Sequence, residues 1–158
     1  MSDVAIFWDV ASGRGDWGAT AFWGATAFDL ATGAPIESAV MASLFSDRRA
    51  SADYVDPDPN GIPDLRGWWG DSYEASLLGS RLWQLNRSKI TDATTVLNKA
   101  RDYCQEALQW LVDDGIAASV SVQTFWVQNN TVGIIVTISS PALVPPQRFQ
   151  YAWAWNGL

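Results

Sequence analysis

With 158 residues and a hydrophobic content of 48%, the chain has the size of one domain and can bury a core. Its net charge of −7, with no basic run longer than Arg48-Arg49, denies it the clustered cations that phosphate neutralisation needs, so no nucleic-acid partner is expected. The absence of His and the single Cys104 remove the commonest general base, a structural zinc site and any intrachain disulfide.

The N-terminus has no basic n-region and no long apolar h-region, so no signal peptide is expected. No apolar run reaches the roughly 18 residues of a membrane span, and the expectation is synthesis in a cytoplasm without a membrane partner. Residues 4–10 (VAIFWDV) read as a first strand. The Gly13-Arg14-Gly15 turn that follows is too sparse to cradle phosphate. A perfect tandem repeat comes next, Trp17 to Phe22 and Trp23 to Phe28, each WGATAF. One duplication is too little for a solenoid, so it reads as an insertion that extends an exposed hairpin or loop.

Residues 35–47 (PIESAVMASLFSD) predict a helix. Pro35 suits its first turn, where a missing N–H is no loss, and Ile36, Val40 and Leu44 share a face that Met41 and Phe45 widen. Residues 51–63 are turn formers and breakers, hence loop. Within it, Asp56, Asp58 and Asn60 resemble the start of a calcium loop, but Pro57 and Pro59 interrupt it and no acid closes it. No metal is therefore expected.

Residues 78–88 predict a short helix with Leu78, Leu82 and Leu85 on one side. Residues 91–114 predict the longest helix, capped by Thr91 or Asp92 and ended by Gly115, with Val96, Ala100, Tyr103, Ala107, Trp110 and Leu111 at helical spacing. Cys104 falls on that face as a small buried hydrophobe. Three strands follow, over 118–127, 133–139 and 148–155, with a turn at Gln128-Asn129-Asn130 and a sheet-breaking stretch from Pro141 to Pro146. The last strand puts Phe149, Tyr151, Trp153 and Trp155 on one face. The pattern is α+β: an N-terminal strand and helices, then an antiparallel meander packed on the long helix.

The richest stretch is 64–89, DLRGWWGDSYEASLLGSRLWQLNRSK, with three of the ten Trp and four of the ten basic residues. Arg48, Arg49, Arg66, Arg81 and Arg87 intermix with Trp68, Trp69 and Trp83. Arg and Trp are the types most enriched at binding hot spots, and Arg pairs bidentately with carboxylates where Lys cannot. Part of this set is expected to meet a partner and the rest to brace the loop from within. The remaining enzymatic option is a carboxylate pair, for which Asp64, Asp71, Glu74 and Glu106 are candidates. The plainer reading is that Asp71 and Glu74 pair with Arg66 or Arg81 to fix the loop. The Trp residues also leave room for a free sugar-binding module.

Four motifs now stand in order: SLFSDRRA (Ser43 to Ala50), RGWWGDSY (Arg66 to Tyr73), GSRLWQLNRSK (Gly79 to Lys89) and EALQWLVDDGIA (Glu106 to Ala117). In this order they resemble the Mu-like phage baseplate protein family, itself similar to the sheath-initiator, TssE-like small wedge proteins of contractile tails. The resemblance covers about 35–140 and leaves the WGATAF repeat and the last strand outside. It implies a non-enzymatic subunit of the inner baseplate, clamped by larger wedge proteins around the central hub and tube. It also implies that a terminal strand can pair with the first sheath ring. The broader family's Glu-Pro-Arg triplet is replaced by Asp113-Asp114-Gly115-Ile116, so no role of that triplet is carried over. Neither is any catalytic residue, although lysozyme-like activity is associated with the broader family.

The expectation is thus a single domain over 1–158: an N-terminal strand and hairpin to residue 34, a family-like core over 35–140, and a C-terminal strand. Its work is structural, in the baseplate of a contractile tail, with a muralytic tail enzyme acting on peptidoglycan as the alternative. The expected partner-binding residues are Arg48, Arg49, Arg66, Trp68, Trp69, Arg81, Trp83, Phe149, Tyr151, Trp153 and Trp155. Expected partners are other wedge proteins, the tail sheath and the hub or tube, with no cofactor and no small-molecule substrate.

Overall fold

The computed structural model describes residues 6–9, 14–17, 19–21, 28–30, 35–55, 65–72, 77–87, 92–128, 130–141 and 143–154. The readings placed on Asp56, Asp58 and Asn60, on Asp64, Tyr73 and Glu74, on Ser88 and Lys89, and on Trp155 lie outside these residues.

The chain opens with two small antiparallel pairs: β1 (Ile6–Asp9) with β2 (Arg14–Trp17), and β3 (Ala19–Ala21) with β4 (Phe28–Leu30). The pairing of β3 with β4 sets Ala21 of the repeat's first copy opposite Phe28 at the end of its second. β1 is fixed to the core through side chains. The Ile6 N–H donates to Ser38 Oγ at 3.0 Å, and the Trp8 ring stacks on Phe45 at 4.4 Å.

Helix α1 (Pro35–Phe45) buries Val40, Met41 and Leu44 as its spacing predicts. It also buries two hydroxyls that serve as hydrogen-bond sockets, Ser38 for β1 and Ser43 for the Trp110 indole at 3.0 Å. Helix α2 is only Leu82–Asn86, shorter than predicted. Its N-terminal side is occupied by a backbone bridge: Ser80 N–H donates to Ser46 O at 2.9 Å, and Arg48 N–H donates to Ser80 O at 3.0 Å. Gly79 makes this approach possible. Its φ is +101°, and a Cβ there would lie 2.5 Å from Ser46 O.

Helix α3 runs Ala93–Ala107, with Asp92 as its N-cap accepting from Thr95 N–H at 2.7 Å. The single helix predicted over 91–114 is broken. Leu108 N–H still donates to Cys104 O, but the chain then tightens, with Gln109 N–H donating to Glu106 O and Leu111 N–H to Leu108 O in i→i+3 bonds, before the short α4 (Trp110–Asp113). The break lets Leu108 and Leu111 both reach the core while Trp110 turns to Ser43. Gly115 follows as the C′ residue with φ 71°, and Ala117 N–H returns to Leu111 O at 2.8 Å.

The last layer is the sheet β5 (Ser119–Gln128), β6 (Thr131–Ser140) and β7 (Leu143–Ala154), antiparallel in the order β5-β6-β7. Its inner face carries Val120, Val122, Val132, Ile134, Val136, Ile138 and Tyr151 into one core with α1, α2 and α3. This is the α+β arrangement read from the pattern. Pro145 and Pro146 do not break the sheet as expected. They lie inside β7, where the register shifts between Ile138 and Ser140. An edge strand at a bulge needs no N–H from either proline.

Candidate functional site

The segment 65–72 crosses the chain just beyond α1, tied there by Ala50 N–H donating to Leu65 O at 2.8 Å. Arg66 (φ 47°) and Gly67 (φ 104°) turn it sharply. Gly67 sits so close to Arg49 that a Cβ would lie 2.7 Å from the Arg49 Cβ. The turn leaves Trp68 and Trp69 side by side at the surface, 43% and 77% exposed, with ring centroids 5.2 Å apart.

Asp71 locks this geometry. Its carboxylate accepts from Trp68 N–H at 3.3 Å and from Leu78 N–H at 3.1 Å. Two backbone segments separated in sequence are thus clamped by one side chain. Around them lie two adjoining clefts that share Trp68, Asp71 and Leu77. The larger, of ≈ 490 Å³, is walled by Ala39, Ala42 and Ser43 of α1, by Trp68 and by Trp110, with Arg48 and Glu106 at its rim. The smaller, of ≈ 290 Å³, carries Arg49, Arg66 and Trp69.

The arginines divide as their contacts dictate. Arg66 pairs with Asp47 at 2.5 Å and lies over the Trp83 ring at 4.8 Å. Arg87 approaches the same ring at 5.8 Å. Arg81 donates twice to Glu106 and covers the Tyr103 ring at 4.5 Å, while Arg48 reaches Glu106 at 3.4 Å. Arg49 is exposed and forms no hydrogen bond or ion pair among the described residues.

Trp83 and Tyr151 were expected at a contact surface, and the fold buries both. Trp83 is 4% exposed and Tyr151 2%. Trp83 donates from Nε1 to Arg48 O and meets Tyr54 edge-on. Tyr151 packs edge-on against Trp8 and Phe45, and burial pushes its hydroxyl pKa upward, with Glu37 adding to the shift. Phe149 and Trp153 are half-buried on the same inner face. The aromatic side of β7 therefore faces its own core.

Asp71 and Glu106, two of the four acids considered for catalysis, line one cleft. Both carboxylates already serve the fold, Asp71 by holding two backbone amides and Glu106 by holding two guanidinium groups. The expected pairing of Asp71 with an arginine is replaced by those amide bonds. Among the described residues no group of three His, Cys, Asp or Glu could hold a metal ion. Sequence reasoning missed Ala39, Ala42, Leu77 and Trp110 as cleft walls. The available signal was that Ala39 and Ala42, three apart, stand off the Ile36/Val40/Leu44 stripe of α1.

Fold and surface together define an α+β protein whose outstanding feature is an aromatic-walled apolar cleft edged by arginines. The family described as Phage protein GP46 matches residues 36–143, and the chain belongs to it. It is 36% identical to the baseplate protein gp46 of Escherichia phage Mu over 162 aligned residues, covering 100% of both chains. It is 38% identical to the Mu-like prophage FluMu protein gp46 of Haemophilus influenzae over 123 residues, 77% of this chain and 75% of that one.

Proposed function

We propose that this protein is a structural subunit of a contractile phage-tail baseplate. The observation that carries this reading is the end-to-end similarity to the Mu baseplate protein, which extends beyond the core motifs to both terminal regions. In the finer form of the proposal, the subunit is held by larger wedge proteins around the hub and tube and offers a template to the first sheath ring. It is made in the host cytoplasm and ends in the virion tail.

Two surfaces suit such work. One is the Trp68/Trp69 cleft with Arg49. The other is the outer edge of β7, a 12-residue strand at the end of the sheet. Beyond Pro145 and Pro146, residues 147–154 of that edge can accept a strand from another chain through backbone hydrogen bonds. The opposite edge is less open, because Gln105 of α3 donates to Val120 O of β5 at 2.8 Å. Phe149 and Trp153 would then support β7 from the core side, leaving its backbone to make the contact.

Quantitative mass spectrometry of purified tail particles tests the reading. A low, fixed ratio to the sheath protein that survives high-salt washing is the expected result. Finding the protein only free in the lysate would overturn it and bring the muralytic alternative forward.

A further inference from the structure

Among the described residues lining the two clefts, the arginines Arg48, Arg49 and Arg66 outnumber the carboxylates Asp71 and Glu106. Glu106 is shared by Arg48 and Arg81, Asp47 is matched by Arg66, and Asp71 is held by backbone amides. Arg49 is the lining arginine that has no ion pair or hydrogen bond among the described residues. It stands on the surface of a chain whose net charge is −7. A single unpaired guanidinium recognises one carboxylate well, since the planar fork matches its two oxygens. It is too little for a nucleic-acid backbone, where several phosphates must be neutralised.

Beside Arg49 lies a space of a different character. The ≈ 490 Å³ cleft is walled by Ala39, Ala42, Leu78, Ala107, Trp68 and Trp110. Its volume falls in the range of about 300–1,000 Å³ that takes small ligands or bulky side chains. Trp68 and Leu77 border both spaces, so an occupant of one adjoins an occupant of the other.

We propose that the paired clefts around Trp68 seat an extended acidic peptide segment of another protein. A bulky apolar side chain enters the space between α1 and Trp110, and a neighbouring carboxylate pairs with Arg49. This deepens the contact role proposed above and rests on it for its biological setting. Trp68 separates the two subsites, and Trp69 covers the segment from the rim. The Asp71 clamp keeps the walls in place before the partner arrives, which lowers the ordering cost of binding.

The test uses the full chain and two synthetic fluorescein-labelled peptides, GDFDLDG and its counterpart GKFKLKG. Fluorescence anisotropy reads affinity, and NMR of the Trp indole N–H signals locates the site. The acidic peptide is expected to bind at least about tenfold more tightly than the lysine peptide, as a charge-assisted contact allows. Trp68 and Trp110 signals should move. Arg49→Glu should abolish that preference and Arg49→Lys should retain part of it. Arg148→Glu, the same charge change on the sheet, should leave it intact.

Equal binding of both peptides, no binding of either, or indole shifts confined to other Trp residues would overturn the proposal. So would concentration-dependent dimerisation that Arg49→Glu abolishes, since the occupant would then be a second copy of this chain. The two readings separate cleanly. Acidic-peptide binding by a protein absent from tail particles removes the baseplate role alone, and a particle-bound protein that ignores the peptide removes this inference alone.

Discussion

The indole of Trp83 donates from Nε1 to the carbonyl oxygen of Arg48 at 2.9 Å, binding α2 to the chain just beyond α1. The same ring lies beneath the Arg66 guanidinium and against Tyr54. An Arg/Trp cluster of the composition expected at a docking surface thus contains its own internal brace.

Trp83 and Trp69 should therefore respond in opposite ways to truncation. Trp83→Ala removes a buried aromatic and is expected to cost about 3–5 kcal/mol of stability. Trp83→Phe keeps most of the ring but orphans Arg48 O, for about 1 kcal/mol. Trp69→Ala, at an exposed position, should change stability by no more than about 0.5 kcal/mol while preventing incorporation into tail particles. Urea unfolding measures the first pair and particle composition the last. An unfolded Trp69→Ala variant would place that residue in the fold's support.

Gly79 offers a backbone test. Any side chain there meets Ser46 O, and φ is +101°. Gly79→Ala should cost about 1–3 kcal/mol from backbone strain, and the variant should lose protection of the Ser80 and Arg48 amides in hydrogen exchange. Unchanged protection would show that the bridge between Ser46, Arg48 and Ser80 tolerates a displaced backbone.

Much of the fold was legible because its signals are local. The alternation in β5 and the 3.6-residue spacing of Val96, Ala100 and Cys104 each report the face that becomes buried. What was hidden depends on partners far along the chain. Leu108 and Leu111 keep helical spacing across the break, and only Ser43, 67 residues from Trp110, shows why the helix turns. The candidate site was legible in composition but not in orientation. Arg49 and Arg66 look alike in sequence; Asp47, distant from Arg66 by 19 residues, separates them. Pro145 and Pro146 misled because a proline penalty assumes a paired N–H, which the bulge in β7 removes.

Asp92 should make helix stability depend on acid. The Thr95 hydroxyl and then the Thr95 N–H hold its carboxyl below the ordinary carboxylate pKa. A depressed folded-state pKa gives stability that is present above the unfolded value, about 4, and lost as pH falls through the folded value. Asp92→Ala should lower the thermal midpoint at neutral pH. Its deficit relative to the parent should shrink as pH is taken below about 3. Equal deficits across that range would show that the cap works without its charge.

Cys104 supplies the converse case at alkaline pH. It is fully buried among Ala100, Ala107 and Leu108 on the core side of α3, and desolvation pushes its thiol from an ordinary 9.0 up to about 12. The reactive species is the thiolate, so the native protein should resist a thiol-specific disulfide reagent at pH 8 and react at once in urea. The linked effect on stability has a definite sign. The native thiol keeps its proton while the unfolded one releases it, so the contribution is complete below pH 9.0 and is lost as pH rises toward about 12. Cys104→Ala costs a small cavity but has no proton to lose. Its urea midpoint should lie below that of the parent at pH 7, and the gap should narrow at pH 10. Tyr151 titrates in both proteins and cancels from this comparison. Rapid labelling of the native protein at pH 8 would mean that α3 opens locally, without the sheet that covers it having to unfold.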